Sequence, residues 1–353
     1  MRRANLLQFE FGIIVALSEM NQLNEIGGLV ISLDLELYWG LRDVIGPASG
    51  YWENLRGERE AIKAILEVFE EFEIAATWAT VGFLFARSET EVREFFPSVM
   101  PEYADGSLLP YREFESGSRP DDDFLFCPDL IEAIQRTPLQ EVATHTFSHY
   151  YCCEPGQTRE AFRADIESAV RAARVRGVDL KSIVFPRNQH NPEYDEILAE
   201  NGITCYRGNQ QAQMYKFGYR KSQSPIHRMS RLADTFINLS GTNTYTWDSV
   251  WSGRLANLPA SAFLRPISSG QGVTAKMQHR RLTGALDEAA RRHEIFHLWW
   301  HPHNFGAKLS ETVSFLRRVL EHFSRLREET GIRSFAMAEA AEFARKKAQA
   351  AAV

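Results

Sequence analysis

The chain has 353 residues, of which 46 are acidic and 40 are basic, so its formal charge is −6 at neutral pH. Hydrophobic residues make up 44% and charged residues 24% of the chain, which are ordinary globular values and exclude collagen, coiled coils and disorder. At roughly 150 residues per domain, the length allows one large α/β domain or two small domains. Proteins that bind a nucleic-acid backbone usually have a basic patch or a strongly basic domain, and the mildly acidic composition indicates neither. We therefore expect no nucleic-acid partner.

The N-terminal part of the chain offers little support for export or membrane insertion. Its most apolar stretch, 6–17, is interrupted by Glu10 and is too short to span a bilayer. Arg2 and Arg3 precede it, but no long apolar core or small-residue cleavage site follows clearly, so a signal or anchor is the less favoured alternative. We predict that 1–25 is a tail of uncertain structure and that the chain has no transmembrane segment.

The cysteines help to predict the compartment. The chain has four of them, two adjacent, and they form neither a disulfide framework nor a CxxC zinc site. A reducing, cytoplasmic location is therefore the expectation.

From Gly27 onward, strand patterns and helix patterns alternate along the chain. Short apolar runs with β-branched residues predict strands, and apolar residues three and four positions apart predict helices. The predicted strands are, in order, 28–33, 74–81, 141–144, 182–185, 203–206 and 294–300. The predicted helices are 60–72, 158–174 and 310–326. Such alternation is typical of parallel βαβ units, and about seven strands predict either a barrel or an open doubly wound sheet.

We predict a single catalytic domain over 26–349. The polar stretch 105–123 contains two glycines and two prolines, which indicates a loop insertion, around 83–139, rather than a linker between domains. The sequence at 270–275 has the form GxGxxA, but no clear strand precedes it, so we do not predict a dinucleotide site. The chain contains no GxSxG nucleophile elbow and no Walker loop.

Polar residues directly terminate four of the predicted strands. In parallel α/β folds the chemistry lies at the carboxyl ends of the strands, so these residues are the candidates for a functional site. The four strand ends carry Asp34 and Glu36, then His145 and His149, then Arg187, and last His301 and His303.

Asp34 and Glu36 point the same way along an extended segment, which aims two carboxylates at one place. Such a pair can divide its roles, one residue binding a metal and the other accepting a proton. The alternative is a helix cap or a salt-bridged strand end.

His145 and His149 are four residues apart, which places two imidazoles on one side of a helical turn or tight loop, as in zinc proteases. A protease signature needs Glu at the second position, where this chain has Thr146, so the pattern favours a metal but not a protease. The alternative is that the two histidines have only structural roles and are four residues apart by chance.

Histidines at 297, 301 and 303 share one face of an extended segment, where each can serve as ligand, acid or base. The alternative is a half-buried strand whose histidines are satisfied by hydrogen bonds. Arg187 can pair with a catalytic carboxylate or with substrate, and the alternative is a surface salt bridge.

Taken in order, the acidic pair, the sequence HTFSH, the strand-end arginine and the late histidine resemble polysaccharide deacetylases of the NodB-homology type (carbohydrate esterase family 4). HTFSH is the most specific element, because the family has H-[S/T]-x-x-H there, and AATWATVGFL is similar to the family's second strand. The similarity extends over 27–305. It implies a distorted (β/α)7 barrel that removes acetyl groups from N-acetylated sugars with a divalent metal, commonly zinc.

The resemblance also implies roles for individual residues. Asp34 would be the general base, His301 the acid that protonates the leaving amine, and Arg187 the arginine that orients the base. The metal ligands would be Glu36, His145 and His149.

The chain departs from the family pattern at three places. Usual members have two adjacent aspartates followed by glycine, whereas this chain reads DLELYWG. Pro186 precedes Arg187, whereas the family has proline two residues after the arginine. The family motif rich in aspartate and tryptophan has no clear match, and His303 is a rival to His301 for the role of acid.

Elementary chemistry agrees with a metal hydrolase. Two imidazoles and one carboxylate leave open positions on a divalent ion, which lowers the pKa of water from 15.7 toward ~7 and polarises a carbonyl. Tyr38 or a backbone N–H could help to hold the oxyanion. Flat aromatic faces suit sugar rings, although core packing is the alternative for such residues. The predicted substrate-contacting residues are Tyr38, Trp39, Trp300 and His303.

The expected function is therefore hydrolysis of a carbon–nitrogen bond other than a peptide bond, in the acetamide of an N-acetylated sugar of a polysaccharide or glycan precursor. One alternative is hydrolysis of a ureide or imide by the same barrel. Another is a glycan-binding protein that has lost catalysis. The sequence determines neither the sugar nor the oligomeric state.

Overall fold

The structure, a computed structural model, describes residues 26–115, 119–212, 215, 225–251, 253–266 and 272–351. The predicted tail, 1–25, lies outside these residues. The strands are β1 (Gly28–Leu35), β2 (Ala76–Thr80), β3 (Gln140–Thr144), β4 (Ser182–Val184), β5 (Cys205–Gly208), β6 (Ala256–Pro259), β7 (Ala262–Phe263), β8 (Ile295–Trp300) and β9 (Arg333–Phe335).

Helices follow most of the strands. They are α1 (Trp52–Glu71), α2 (Glu89–Glu94), α3 (Pro128–Arg136), α4 (Arg159–Val175), α5 (Asp195–Glu200), α6 (Pro225–Asp234), α7 (Trp247–Val250), α8 (Gly272–Arg292), α9 (His303–Gly306), α10 (Leu309–Thr330) and α11 (Met337–Ala351). No helix within the described part of the chain has both the length and the apolar character required to cross a bilayer.

The strands form one parallel sheet in the order β6-β5-β4-β3-β2-β1-β8-β7, with β9 paired to the start of β1. A single stretch of chain joins the two ends of this order, because only Ala260 and Ser261 separate β6 from β7. Ala260 donates its N–H to the Gly208 carbonyl of β5 at 2.9 Å, and Ser261 donates to the His297 carbonyl of β8 at 2.8 Å. We call each strand position around the barrel a stave and count β6 and β7 as two halves of one. Seven staves then surround the interior, which confirms the predicted (β/α)7 barrel.

The predicted elements correspond closely to the observed ones. All six predicted strands are present, as β1 to β5 and β8, and the three predicted helices are α1, α4 and α10. The sequence patterns missed β6, β7 and β9, whose lengths of two to four residues are too short to show an alternation.

Strand β1 is buried along its whole length and separates two apolar regions. Val30 packs in one cluster with residues of β4, β5 and β6. Ser32 and Asp34, on the same face, contact Arg207 of β5 inside the barrel. The residues of the other face pack in the large cluster beneath the helices and are Leu29, Ile31, Leu33 and Leu35.

The predicted insertion, 83–139, contains α2, α3 and several short 3₁₀ turns. It is fastened to the loop that follows β1. Trp39 donates its indole N–H to the Leu125 carbonyl at 2.9 Å, and Arg42 donates to the Ser107 carbonyl at 2.7 Å. Its extent, like the single catalytic domain over 26–349, stays a prediction.

His297 is a structural histidine of the barrel interior rather than part of a site. Its Nε2 lies 2.9 Å from the Ser32 hydroxyl, and its Nδ1 lies 3.1 Å from the Leu258 carbonyl. Burial, helped by the nearby charge of Arg207, lowers the pKa of His297 to about 3. The alternative of a satisfied core histidine therefore holds at this position.

The low pKa of His297 predicts a pH dependence of folding stability. The unfolded chain takes up this proton near pH 6.5 while the folded protein does not, so stability is lost as the pH falls below that value. At pH 5 the loss from this one group is about 2 kcal/mol. We expect His297→Gln to show a smaller fall in unfolding free energy between pH 7 and pH 5, measured by urea denaturation. Equal falls in the parent and the variant would contradict the assignment.

Candidate metal centre

The carboxyl ends of four staves meet at one edge of the barrel. Strands β1, β3, β5 and β8, with the residues that directly follow them, bring together two carboxylates, three imidazoles and one guanidinium. These groups belong to Asp34, Glu36, His145, His149, His301 and Arg207.

Glu36, His145 and His149 form a group of three buried donors. The Oε1 atom of Glu36 lies 2.8 Å from Nε2 of His145 and 3.3 Å from Nε2 of His149. Burial alone would raise the pKa of Glu36, but the neighbouring histidines outweigh it and hold that pKa well below its ordinary value. Burial lowers the pKa of His149 to about 4, so its imidazole is neutral at pH 7 and has a lone pair for an ion. The donor set therefore suits a divalent transition metal.

The HTFSH segment is a tight loop rather than a helical turn. Thr146 and His149 both have left-handed backbone conformations, with φ of 62° and 57°. Asp165 of α4 holds the loop from beneath by accepting the N–H groups of Phe147 at 2.7 Å and Ser148 at 3.1 Å. Asp165 is not among the site residues predicted from the sequence. Its position on the buried face of the predicted helix 158–174 could have indicated a structural role, because a buried carboxylate needs hydrogen-bond partners.

Gly40 leaves the space that the Glu36 carboxylate occupies. A Cβ atom at position 40 would collide with Oε2 of Glu36. The glycine that follows the acidic pair in DLELYWG is therefore a steric requirement of the candidate ligand.

We expect Gly40→Ala to displace the Glu36 carboxylate and to weaken binding of a divalent ion by about 10-fold or more, since residues that support a ligand have effects of that size. Zinc affinity measured with a competing chelator would show this. Gly50→Ala is the matched control, because a Cβ there meets nothing within 4 Å. Equal zinc affinity for the Gly40 variant and the parent would contradict the requirement.

Two further histidines approach the same carboxylate, and the structure distinguishes them. His301, 23% exposed, lies with its Nε2 3.7 Å from Asp34 Oδ2 and 3.8 Å from Glu36 Oε1. His303 is buried, and its Nδ1 lies 2.8 Å from the Tyr51 hydroxyl. Glu36, His301 and His303 form a second group of three donors. Their contacts are longer, so the first group suits an ion better.

Arg207 of β5 is the partner of Asp34. Its two terminal nitrogens donate to Oδ1 and Oδ2 of Asp34 at 2.6 and 2.7 Å, and its guanidinium lies 4.1 Å from the Trp299 ring centroid. Burial would raise the pKa of Asp34, but the charge of Arg207 holds it below its ordinary value. Asp34 is therefore ionised and fixed in orientation.

Arg187, the arginine that the family resemblance assigns to the base, has a different partner. It donates to Asp43 Oδ1 at 2.6 Å and to the Gly40 carbonyl at 3.1 Å. The assignment is corrected to Arg207. Because Arg207 directly follows the predicted strand 203–206, it carried the same strand-end signal as the other candidates.

The structure corrects two of the predicted substrate contacts, Trp39 and Trp300. Trp39 and Trp300 are fully buried; the first packs against Phe83 and the second stacks on Phe305. Tyr38 is almost buried, stacks on Trp52 and donates its hydroxyl to Glu113 at 3.4 Å. Core packing accounts for Trp39 and Trp300, whose rings are fully buried. Contact of Tyr38 or His303 with substrate stays a prediction.

The pairing of Asp34 predicts an energetic coupling with Arg207 and not with Arg187. In double-mutant cycles of urea denaturation, Asp34→Asn with Arg207→Gln should show a coupling of about 2–3 kcal/mol, as expected for a direct buried pair. Asp34→Asn with Arg187→Gln should couple by less than about 0.5 kcal/mol. Equal coupling energies in the two cycles would overturn the corrected assignment.

Comparisons with known proteins agree with the fold and with the family resemblance over part of the chain. The polysaccharide deacetylase family profile matches residues 50–206, a stretch that contains His145 and His149 but not Asp34, Glu36 or His301. This match confirms the resemblance over that stretch of the chain. No curated protein matches the chain significantly.

Solved structures share the barrel at low sequence identity. A candidate polysaccharide deacetylase from Mycobacterium smegmatis is 15% identical, with 92% of each chain covered and a TM-score of 0.58. A GH57 branching enzyme from Thermococcus kodakaraensis is 13% identical, with 88% of this chain and 70% of that chain covered and a TM-score of 0.50. These likenesses support the fold alone.

Proposed function

We propose, from the premise that residues 50–206 match the polysaccharide deacetylase family, that the protein is a metal-dependent hydrolase. Its reaction would remove the acetyl group from an N-acetylated sugar, in a polysaccharide or a glycan precursor of the cytoplasm. The observation that carries the proposal is the convergence of Glu36, His145 and His149 beside the ionised Asp34 and the partly exposed His301.

The three buried donors, Glu36, His145 and His149, would hold the ion, and two imidazoles with one carboxylate are a usual donor set for zinc. When bound, such an ion supplies a Lewis acid for the acetyl carbonyl and makes water more acidic. The rest of the chemistry belongs to side chains of this chain.

In the proposed reaction, Asp34 accepts a proton from water as the water oxygen attacks the carbonyl carbon. Arg207 keeps Asp34 ionised and fixes both carboxylate oxygens, so no reorientation of Asp34 is needed. The cost is a weaker base, because the same arginine lowers the pKa of the carboxyl group.

In the proposed reaction, His301 protonates the departing nitrogen as the C–N bond breaks, which releases acetate and the free amine. Its Nε2 is near both carboxylates, and part of the ring is exposed. An amine leaves poorly without that proton. His303, the rival acid, is buried with Nδ1 at the Tyr51 hydroxyl, which supports His301 in this role.

The test is metal content and acetate release measured on the same samples. We expect the parent to bind about one divalent ion and to release acetate from N-acetylated sugars. The variant His145→Ala/His149→Ala should do neither. Asp34→Asn should keep the ion but lose about 10²-fold or more of the turnover, as is typical for removal of a general base.

Circular dichroism of each variant would serve as the folding control. Equal metal content in the parent and the double histidine variant would overturn the metal centre. Unchanged turnover in Asp34→Asn would overturn the role of the base.

A further inference from the structure

Charge is distributed unevenly along the chain. Residues 201–286 contain 11 Lys and Arg but only 2 Asp and no Glu, whereas the rest of the chain contains 29 basic and 44 acidic residues. The overall charge of −6 therefore conceals one strongly basic segment in an acidic protein.

Part of this basic segment lines a cavity of about 370 Å³ next to the candidate metal centre. Its wall includes His301 and Trp299 at the end of β8, together with the loops after β4 and β5 and helices α6 and α8. Among the described residues, its lining contains four arginines and a single carboxylate: Arg187, Arg231, Arg265, Arg281 and Asp234.

The single carboxylate, Asp234, is already engaged in holding the fold. It accepts N–H groups from Leu239 at 2.9 Å and Ser240 at 2.7 Å and the Tyr215 hydroxyl at 2.9 Å. Arg281 lies 3.8 Å away. Arg187 is paired at 2.6 Å with Asp43, which lies outside the lining. Among the described lining residues, the remaining arginines outnumber the one carboxylate, so the lining carries an excess of positive charge.

Arg265 is the cation best placed to reach a ligand. Its Nε donates to the Thr235 hydroxyl at 2.9 Å, and among the described residues no carboxylate lies within ion-pair distance of it. Its guanidinium lies 5.7 Å from the centroid of Phe263, whose ring lies 6.0 Å from that of His301. One aromatic side chain thus separates this cation from the proposed acid.

We propose that the cavity binds the phosphate of a phosphorylated N-acetylated sugar, whose acetamide then lies at His301. The proposal rests on the proposed function and specifies its substrate class. Guanidinium groups bind phosphate oxygens through paired, charge-assisted hydrogen bonds, and a cluster of them beside a reactive centre selects anions. Phe263 and Trp299 offer apolar faces to the sugar ring. The volume suits a small molecule better than a long neutral polymer.

The first test compares binding of N-acetylglucosamine 1-phosphate with N-acetylglucosamine by calorimetry on the metal-loaded protein. We expect the phosphate ester to bind about 10-fold tighter or more, and Arg265→Gln to remove most of that preference without affecting the neutral sugar. The control Arg254→Gln lies in the same basic segment but is exposed and pairs with Glu196, so it should bind as the parent does. An equal loss in both variants, or no preference in the parent, would overturn the proposal.

Phosphate can also bind a metal ion directly, so the comparison is repeated with His145→Ala/His149→Ala. Preference for the phosphate ester that persists there and still requires Arg265 supports the cavity. Preference that disappears there but survives in Arg265→Gln would assign the phosphate to the ion and overturn the proposal. Arginine-dependent binding without acetate release from any sugar would instead mean that the proposed function fails while the anion site stands.

The source of the phosphate is a separate arm of the experiment. Acetate release is compared for two N-acetylated sugars: one carried by a nucleoside diphosphate, and one carried by a diphosphate with a short prenyl chain, assayed in detergent. A higher kcat/KM for either one, lost in Arg265→Gln, supports the proposal and identifies the source. Equal, Arg265-dependent binding of an N-acetylated uronic acid lacking phosphate would overturn phosphate as the recognised group.

Discussion

Burial of two carboxylates at the end of one strand is the constraint on which the rest of the site depends. Asp34 and Glu36 terminate a strand that is buried at every position, and a buried charge is costly unless it is paired and hydrogen-bonded. Each carboxylate therefore requires its own partners from another stave. Arg207 of β5 pairs with Asp34, and the loop after β3 supplies two imidazoles to Glu36.

The closed barrel makes these pairings available. Because all the staves are parallel, their carboxyl ends lie at one edge, and side chains from non-neighbouring strands meet across the interior. The two-part stave of β6 and β7 completes the circuit at Ala260 and Ser261. These two residues also line the cavity that carries the arginines, so the stave that closes the barrel forms part of the proposed anion site.

The different charges of two neighbouring regions link the proposed metal centre to the proposed phosphate site. The candidate metal centre gathers two carboxylates and three imidazoles, and its one guanidinium, Arg207, is paired with Asp34. The adjacent cavity gathers further guanidinium groups, and His301 borders both. An anionic substrate would be attracted to the cavity and kept from the carboxylates, which favours one orientation of the sugar. The same excess of positive charge is invisible in the net charge of the whole chain.

Local patterns in the sequence determined the strands β1 to β5 and β8, the helices α1, α4 and α10 and the histidine and carboxylate candidates, because periodicity and strand ends are local properties. The tertiary structure alone decided which strand-end side chains meet. It selected Arg207 over Arg187, placed Trp39 and Trp300 in the core, and put Asp165 beneath the histidine loop. Such choices depend on the order of strands in the sheet and on the packing of helices over it, and those follow from contacts between residues far apart in the chain.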